Sequence, residues 1–331
     1  MKFLVIQTAF PGDVILATSV VEKLYEFHPT SQIDFLLRKG NESLFASHPF
    51  LNKVLIWDKK QNKVSELLRI AGEVRRENYD YVINLHRFAS SGFITAFSGA
   101  KNKIGFDKNP FSFLFTEKYE HKIGNGIHET ERNKKLITTL TNEKSSKPKL
   151  CPSEMDFQKV SEYKTEKYVC IAPASVWFTK QWSAHKWAEL INLIPIEQNV
   201  YLLGAPSDFS LCDEIKSSTV NHKSSIVNLS GNLSFLESAA LMKDAEMNYV
   251  NDSAPLHLAS SVNAPVTAVF CSTVPEFGFG PLSDKSFVAQ TKVNLLCRPC
   301  GLHGKSSCPE KHFNCAESIN AQDVISLSLT K

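Results

Sequence analysis

Residues 250–258 read Val-Asn-Asp-Ser-Ala-Pro-Leu-His-Leu, and this stretch indicates where a strand gives way to a helix. Pro255 stands at the predicted start of the helix, where proline is tolerated because its nitrogen needs no helical partner. The backbone amides of Ser253 and Ala254 at such a helix start favour an anion. His257 lies one turn into the helix. The stretch therefore predicts an α/β fold with an anion site where the strand ends.

Strands alternate with helices on both sides of this stretch, which predicts mostly parallel α/β sheets. The first alternation begins with a buried strand at residues 3–6. Residues 143–167 are rich in Lys, Ser and Pro, lack an apolar pattern and are typical of an interdomain connection. The alternation then restarts at residue 168. We therefore expect two Rossmann-like domains, at residues 1–155 and 156–318, with ligands at the loops that follow the strands.

The composition is that of an ordinary globular protein and excludes several classes. Of the 331 residues, 43% are hydrophobic and 21% are charged, which excludes a wholly disordered chain. The 37 basic residues nearly balance the 34 acidic ones, so charge gives no reason to expect a nucleic-acid partner. No apolar run approaches the ~18 residues of a membrane span, and the apolar start is too short for a signal peptide. We expect a cytoplasmic protein.

The loop after the first strand carries one candidate functional group. Residues 7–13 contain a single glycine, Gly12, so they match neither a dinucleotide-binding motif nor a P-loop. What remains is Asp13, at the start of the next helix. Spacing alone favours a helix-capping role for this carboxylate, because acidic side chains stabilise a first turn. A functional role beside a ligand is the alternative interpretation.

A second loop, residues 172–182, combines hydroxyl and ammonium groups. Ser175, Thr179 and Lys180 stand at a predicted helix start. A phosphate group needs such donors together with positive charge. Lys180 is equally consistent with a solvated surface lysine. Asp252, in the stretch quoted above, also has a structural interpretation, since an acidic side chain there would cap the next helix.

Four of the eight cysteines are clustered near the end of the chain. One Cys-x-x-Cys pair begins the cluster, and no second pair follows. Four thiolates could hold a structural zinc ion, whereas the loose spacing also fits reduced or oxidation-prone thiols. The candidate zinc ligands are Cys297, Cys300, Cys308 and Cys315.

Four short motifs occur in order along nearly the whole chain. They are Pro11-Gly12-Asp13-Val14, Lys180-Gln181-Trp182, Asn251-Asp252-Ser253 with His257, and Cys297-Arg298-Pro299-Cys300. In this ordered set the chain resembles the ADP-heptose:lipopolysaccharide heptosyltransferases, glycosyltransferase family nine. The resemblance implies a GT-B fold, in which two Rossmann-like domains with mostly parallel sheets face each other across a cleft. It also implies that the C-terminal helix, residues 319–331, packs back on the N-terminal domain.

The resemblance implies roles for the positions that match the family's motifs. Asp13 matches the general base, which deprotonates the acceptor hydroxyl, and Lys180 matches the lysine that holds the donor's diphosphate. On the acceptor side, roles are implied for Gly12, His128 and Arg132. The positions implied for nucleotide-sugar binding are Ser175, Thr179, Asp208, Leu233, Asp252, Ser253, Ala254 and His257.

The resemblance also implies the reaction. It is the inverting transfer of a heptose from ADP-heptose to a lipid-linked, anionic sugar of the lipopolysaccharide or lipooligosaccharide inner core. No cofactor is required, and the enzyme would contact the inner face of the inner membrane peripherally. Three alternatives stay open: a GT-B glycosyltransferase with another nucleotide sugar, a GT-B-like sugar-nucleotide epimerase that needs no acceptor, and a non-catalytic nucleotide-binding α/β protein.

Overall fold

The chain divides into two compact units, each built around one parallel sheet. The first unit is Met1–Cys151, and the second begins at Pro152. Within the described residues, each sheet has six strands, and all neighbouring strands pair in parallel, as the alternation of strands and helices predicts. The computed structural model describes residues 1–60, 62–220, 222 and 224–329.

The first unit alternates strands and helices from its beginning. Its strands are β1 (Lys2–Ile6), β2 (Gln32–Arg38), β3 (Lys53–Trp57), β4 (Tyr81–Asn84), β5 (Asn102–Phe106) and β6 (Glu117–Tyr119). Its helices are α1 (Pro11–Phe27), α2 (Lys63–Arg76), α3 (Ala89–Phe97) and α4 (Glu129–Lys135). The strand order is β3-β2-β1-β4-β5-β6. The central strand β1 is a continuous apolar run after Lys2 because helices cover both faces of such a sheet.

The second unit repeats this pattern. Its helices are α5 (Glu154–Lys159), α6 (Ala184–Leu193), α7 (Phe209–Ser218), α8 (Phe235–Lys243), α9 (Ala254–Ser261), α10 (Asn314–Glu317) and α11 (Ala321–Leu329). Its strands are β7 (Tyr168–Ala172), β8 (Asn199–Leu202), β9 (Ile226–Asn228), β10 (Met247–Asn251), β11 (Val266–Phe270) and β12 (Ser286–Gln290). The strand order is β12-β11-β10-β7-β8-β9.

In both sheets, the direction in which successive strands are added reverses between the first and the fourth strand of the unit. In the first unit these neighbours are β1 and β4, and in the second they are β7 and β10. The loops that leave two such strands run in opposite directions, which opens a crevice at the carboxyl edge of the sheet. Each unit therefore offers one preferred place for a ligand, and the candidate residues can be tested against it.

The predicted domain boundary after residue 155 falls inside α5. Ser153 and Asp156 close the first turn of that helix with a reciprocal capping box, in which each side chain accepts a hydrogen bond from the other residue's backbone N–H. Part of the segment predicted as a connection is therefore helical, because a Ser and an Asp at this spacing satisfy the amides of a short helix.

The C-terminal helix α11 packs within the second unit. It contacts α6, β11 and β12, and its residues Val324 and Ile325 belong to the hydrophobic core of that unit. Ile319, just before the helix, is buried in the same core. The expectation that residues 319–331 pack back on the N-terminal domain stays a prediction. The apolar face of α11 is already covered by neighbours in its own unit.

Replacing Ile325 by alanine tests this packing. Ile325 is buried, so Ile325→Ala leaves a cavity that lowers the free energy of unfolding by about 2–5 kcal/mol. The control is Ser326→Ala on the exposed side of α11, which we expect to change that free energy by about 0.5 kcal/mol or less. Urea denaturation followed by tryptophan fluorescence measures both, since Trp182 and Trp187 lie in the same core. Equal stability of the two variants would contradict the packing.

Candidate active site

In the first unit, Asp13 lies in the first turn of α1. Pro11 occupies a first-turn position, and the helix starts soon after β1 ends. Asp13 is partly exposed at this carboxyl edge of the sheet, and Gly12 lies beside it in the same turn. A carboxylate in this place can accept a proton from a ligand bound at the sheet edge.

Basic side chains gather at the same sheet edge, and the sequence analysis did not identify them. Arg38 ends β2, and its guanidinium lies 4.6 Å from the centre of the Phe10 ring. Lys59, which follows β3, donates from Nζ to the carbonyl oxygen and to Oγ1 of Thr8, each at 2.9 Å. Thr8 Oγ1 also lies 3.1 Å from Nδ1 of His86, which follows β4. We call Arg38 and Lys59 the basic cluster.

Burial weakens the solvation of the charges in the basic cluster. Burial, together with the like charge of Arg38, lowers the pKa of Lys59 to about 8. Burial also lowers the pKa of Arg38, although the Asp13 carboxylate opposes this shift. Burial, followed by the charge of Lys59, lowers the pKa of His86 to about 3, so its imidazole is neutral at pH 7. A poorly solvated pair of cations at a ligand-binding edge favours an anionic ligand.

The predicted acceptor residues His128 and Arg132 serve the fold around α4. His128 is the N-cap of α4, and its Nδ1 accepts the N–H of Thr130 at 3.2 Å. Arg132 is 2% exposed, and its Nε donates to Oε2 of Glu129 at 2.7 Å. Burial raises the pKa of Glu129 above its usual range, although Arg132 opposes this, and the charge of Asp13 adds to the rise. Since α4 packs on α1, this buried pair supports the helix that carries Asp13.

In the second unit, Lys180 and Asp252 form an ion pair. Lys180 ends a short 3-10 helix, Phe178–Lys180, in the loop after β7, and Asp252 directly follows β10. Lys180 Nζ lies 2.7 Å from Asp252 Oδ2. Thr273 Oγ1, in the loop after β11, donates to the same oxygen at 2.6 Å. Two predicted residues thus meet at the crevice of the second sheet, and Thr273 joins them although the sequence analysis did not single it out.

The start of α9 follows Asp252 directly in the chain. Ser253 is the N-cap, but among the described residues no side-chain hydrogen bond caps this helix, and Ser253 Oγ donates to the carbonyl oxygen of Ala174 at 3.3 Å. The capping role expected for Asp252 is therefore wrong, because its carboxylate is engaged in the ion pair. Ala254 begins the helix, and His257 is buried one turn further on. A helix start without a side-chain cap is suited to an anion.

Ser175 and Thr179 differ in their availability to a ligand. Ser175 is partly exposed in the loop after β7. Thr179 is 1% exposed, and its Oγ1 accepts hydrogen bonds from Ser272 Oγ at 3.0 Å and from the N–H of Lys305 at 2.7 Å. The Thr179 hydroxyl, predicted as a ligand for the nucleotide sugar, is therefore engaged by the protein itself.

Asp208 and Leu233 lie in the loops that follow β8 and β9. Asp208 Oδ2 accepts the N–H of Ala205 at 2.8 Å, so this carboxylate closes its own turn. The N–H of Gly231 donates to the carbonyl oxygen of Gly204 at 2.9 Å, which joins the two loops. Leu233 is partly exposed. The structure thus puts Asp208 and Leu233 on connected loops at the carboxyl edge of the second sheet.

The cysteine cluster does not support the predicted zinc site. Among the described residues, no three Cys, His, Asp or Glu side chains come together in a way that could hold a metal ion. Cys315 is buried in the hydrophobic core of the second unit. Cys300 donates its thiol hydrogen to the carbonyl oxygen of Cys297 at 3.3 Å. Cys308 is partly buried and is a free cysteine, as are the others.

Comparison with known proteins identifies the family. The sequence profile of glycosyltransferase family 9 (heptosyltransferase) matches residues 67–311. The chain belongs to this family. Lipopolysaccharide heptosyltransferase 1 of Campylobacter coli is 24% identical over 99% of this chain and 98% of that relative. A family 9 glycosyltransferase of Veillonella parvula has a similar structure, with a TM-score of 0.87 at 20% identity over 99% of this chain and 97% of that one.

A third similar protein is E. coli heptosyltransferase WaaC, whose structure was solved with ADP-2-deoxy-2-fluoro heptose. It superposes with a TM-score of 0.74 at 16% identity over 98% of each chain. Family membership confirms the predicted resemblance, the GT-B fold class and the assignment as a glycosyltransferase. In the part of the chain that the structure describes, no helix is long and apolar enough to cross a bilayer.

The buried Glu129–Arg132 ion pair leads to a prediction about the free energy of unfolding of this protein. We expect Arg132→Met to lower the free energy of unfolding by about 3–5 kcal/mol, because it leaves the buried Glu129 carboxylate without its partner. The double variant Glu129→Gln/Arg132→Met removes both charges and recovers most of this loss. Denaturant titration of the three proteins measures the effect. A single variant as stable as the wild type would show that Arg132 is not needed for folding.

Proposed function

We propose that this glycosyltransferase moves a heptose from ADP-heptose to an anionic, lipid-linked sugar of the lipopolysaccharide or lipooligosaccharide inner core, with inversion at the anomeric carbon. The observation that carries the proposal is the Lys180–Asp252 ion pair at the uncapped start of α9. The Lys180 ammonium supplies positive charge, and the backbone N–H groups at the start of α9 supply hydrogen-bond donors. A diphosphate requires both. The Campylobacter coli relative is named a lipopolysaccharide heptosyltransferase, and the WaaC structure holds an ADP-heptose analogue, which supports the same acceptor and donor classes.

The second unit is assigned to the donor. Lys180 and the backbone amides at Ser253 and Ala254 offset the negative charge that develops on ADP as it leaves. Asp252 and Thr273 hold the lysine in place before the donor binds. The connected loops after β8 and β9 take the adenosine. Ser175, Asp208, Leu233 and His257 are the further donor contacts of this proposal.

The first unit is assigned to the acceptor and to the base. The acceptor hydroxyl attacks the anomeric carbon from the face opposite ADP, and a new glycosidic bond forms as the bond to the phosphate oxygen breaks. Asp13 accepts the hydroxyl proton, and ADP departs with the bonding electrons. Protein groups stabilise the negative charge on the leaving ADP. The proposed reaction therefore includes no step that uses a cofactor. The buried Glu129–Arg132 pair contributes by supporting α1.

The basic cluster supports an anionic acceptor. Lys59 and Arg38 lie at the same sheet edge as Asp13, and the burial that lowers their pKa values makes a bound carboxylate or phosphate favourable. A lipid-linked acceptor also implies contact with the cytoplasmic face of the inner membrane. Phe113 is 73% exposed and Leu114 is also exposed, in a short 3-10 helix that follows the exposed Lys108. This apolar surface with a nearby lysine supports peripheral membrane contact.

Release of ADP from ADP-heptose, measured with and without a heptose-deficient lipopolysaccharide acceptor, tests the proposal. Release that depends on the acceptor supports it. Tight binding of ADP-heptose without release favours a non-catalytic nucleotide-binding protein. Conversion of the donor sugar without any acceptor favours an epimerase. Acceptor-dependent release from another nucleotide sugar, with none from ADP-heptose, favours a different GT-B glycosyltransferase.

Asp13→Asn tests the general base. The amide keeps the size of the side chain but cannot accept the proton, so we expect kcat to fall about 10²–10⁴-fold with little change in the KM for the donor. Steady-state ADP release with saturating acceptor measures both constants. Full turnover by this variant would leave Asp13 with only its stabilising role in the first turn of α1.

Lys59 gives the acceptor site a pH dependence. Its ammonium is charged below pH 8 and neutral above it, so acceptor affinity should fall as the pH rises through about 8. We expect Lys59→Met to raise the acceptor KM about 10- to 100-fold at pH 7, because a charge-assisted hydrogen bond is lost. Lys59→Arg is the matched control, since its charge persists and its acceptor KM should stay nearly constant between pH 7 and 9. An acceptor KM of Lys59→Met equal to that of the wild type would remove Lys59 from the acceptor site.

A further inference from the structure

Arg298 ties the cysteine-rich segment to the end of β11. Its Nε donates to the carbonyl oxygen of Cys271 at 2.7 Å, and its Nη2 donates to the carbonyl oxygen of Thr273, also at 2.7 Å. The N–H of Cys300 donates to the carbonyl oxygen of Ser272 at 2.9 Å. The backbone around Thr273, whose hydroxyl bonds the Asp252 carboxylate, is therefore held from the side of residues 298–300. We call residues 298–305 the anchoring loop.

The other end of the anchoring loop holds the residue before Lys180. Lys305 pairs with Thr179 in both directions: the Thr179 N–H donates to the Lys305 carbonyl oxygen at 3.1 Å, and the Lys305 N–H donates to Thr179 Oγ1 at 2.7 Å. Ser272 Oγ donates to the same hydroxyl oxygen at 3.0 Å. Thr179 thus links three segments of the second unit immediately next to the lysine of the ion pair.

Gly304 brings the anchoring loop into close contact with Lys180. Its φ is +77°, and a Cβ placed there would lie 2.9 Å from Lys180 Cγ and 3.0 Å from Thr179 Oγ1. Gly301 in the same loop also has a positive φ, +81°, but no atom of the residues that the structure describes lies within 4 Å of a Cβ placed there. The backbone of the loop therefore forms one wall of the space that the lysine side chain occupies, and only a glycine at position 304 fits.

We propose that the anchoring loop positions Lys180 for the donor's diphosphate, and that Thr179, Arg298 and Gly304 are the positioning residues through which it acts. The inference rests on the proposed function, in which Lys180 binds that diphosphate. It gives a role to the hydrogen bonds that the buried Thr179 hydroxyl, in the loop after β7, makes with Ser272 and Lys305. It also gives a role to a segment near the cysteine cluster that does not depend on a metal.

Gly304→Ala and Gly301→Ala form the matched test. Both variants place a side chain at a positive φ and share that backbone strain, but only the methyl group at position 304 presses on Lys180. A displacement of about 1 Å in a positioned group can cost about 10²-fold. With the full-length protein and ADP as the probe, we expect calorimetry to show a Kd raised about 10- to 100-fold for Gly304→Ala and unchanged for Gly301→Ala. Equal Kd values for the two variants would overturn the inference.

Thr179 provides a second, independent test. Thr179→Val keeps the shape but removes the hydroxyl oxygen that accepts two hydrogen bonds, and Thr179→Ser restores that oxygen. We expect the Kd for ADP to rise about tenfold in the valine variant and to return towards the wild-type value in the serine variant. Wild-type affinity in Thr179→Val, or no rescue by serine, would overturn the inference.

Lys180→Met separates this inference from the function on which it rests. If Lys180→Met binds ADP as tightly as the wild type, the proposed role of Lys180 fails and the positioning inference fails with it. If Lys180→Met loses affinity while Gly304→Ala and Thr179→Val keep it, only the positioning inference fails. Loss of affinity in Lys180→Met, Gly304→Ala and Thr179→Val, but not in Gly301→Ala, supports both.

Discussion

The parallel pairing of β1 with β4 and of β7 with β10 is the constraint on which the polar clusters of both units depend. Each pairing joins strands that are far apart in the sequence and brings their carboxyl ends to one edge. Thr8 and His86 meet in this way in the first unit, and Lys180 and Asp252 meet in the second. Neither contact follows from local sequence. Both follow from the pairing, because the carboxyl ends of neighbouring parallel strands meet at one edge of the sheet.

The sequence predicted the α/β class and the loops that carry Asp13, Lys180 and Asp252, because buried parallel strands are short continuous apolar runs. It did not predict how side chains share partners. Asp252 was expected to cap a helix, but its carboxylate bonds to Lys180 and Thr273. Thr179 was expected to face a ligand, but its hydroxyl joins segments distant in sequence. A hydroxyl or carboxylate has several possible partners, and only the tertiary contacts select among them.

The basic cluster escaped the sequence analysis for a different reason. Arg38 ends one strand and Lys59 follows another, so the two form no charge run, and a protein with a small net charge gives no hint of a local excess. The available signal was positional, since Arg38 is the last residue of one strand of the first sheet and Lys59 is the second residue after another. The same edge keeps His86 neutral, because a third charge beside Lys59 would be poorly solvated. The His86 imidazole therefore adds no positive charge to that of the basic cluster.

The absence of a side-chain cap on α9 has a consequence for the lifetime of the protein in the cell. A helix start whose amides are left to other partners is a weak point of the fold. An anion that binds there, and not to the unfolded chain, stabilises the second unit by an amount that grows with its concentration. Proteases act on transiently opened molecules, so the rate of degradation depends on this occupancy. Degradation would therefore be fastest when no anion occupies the start of α9.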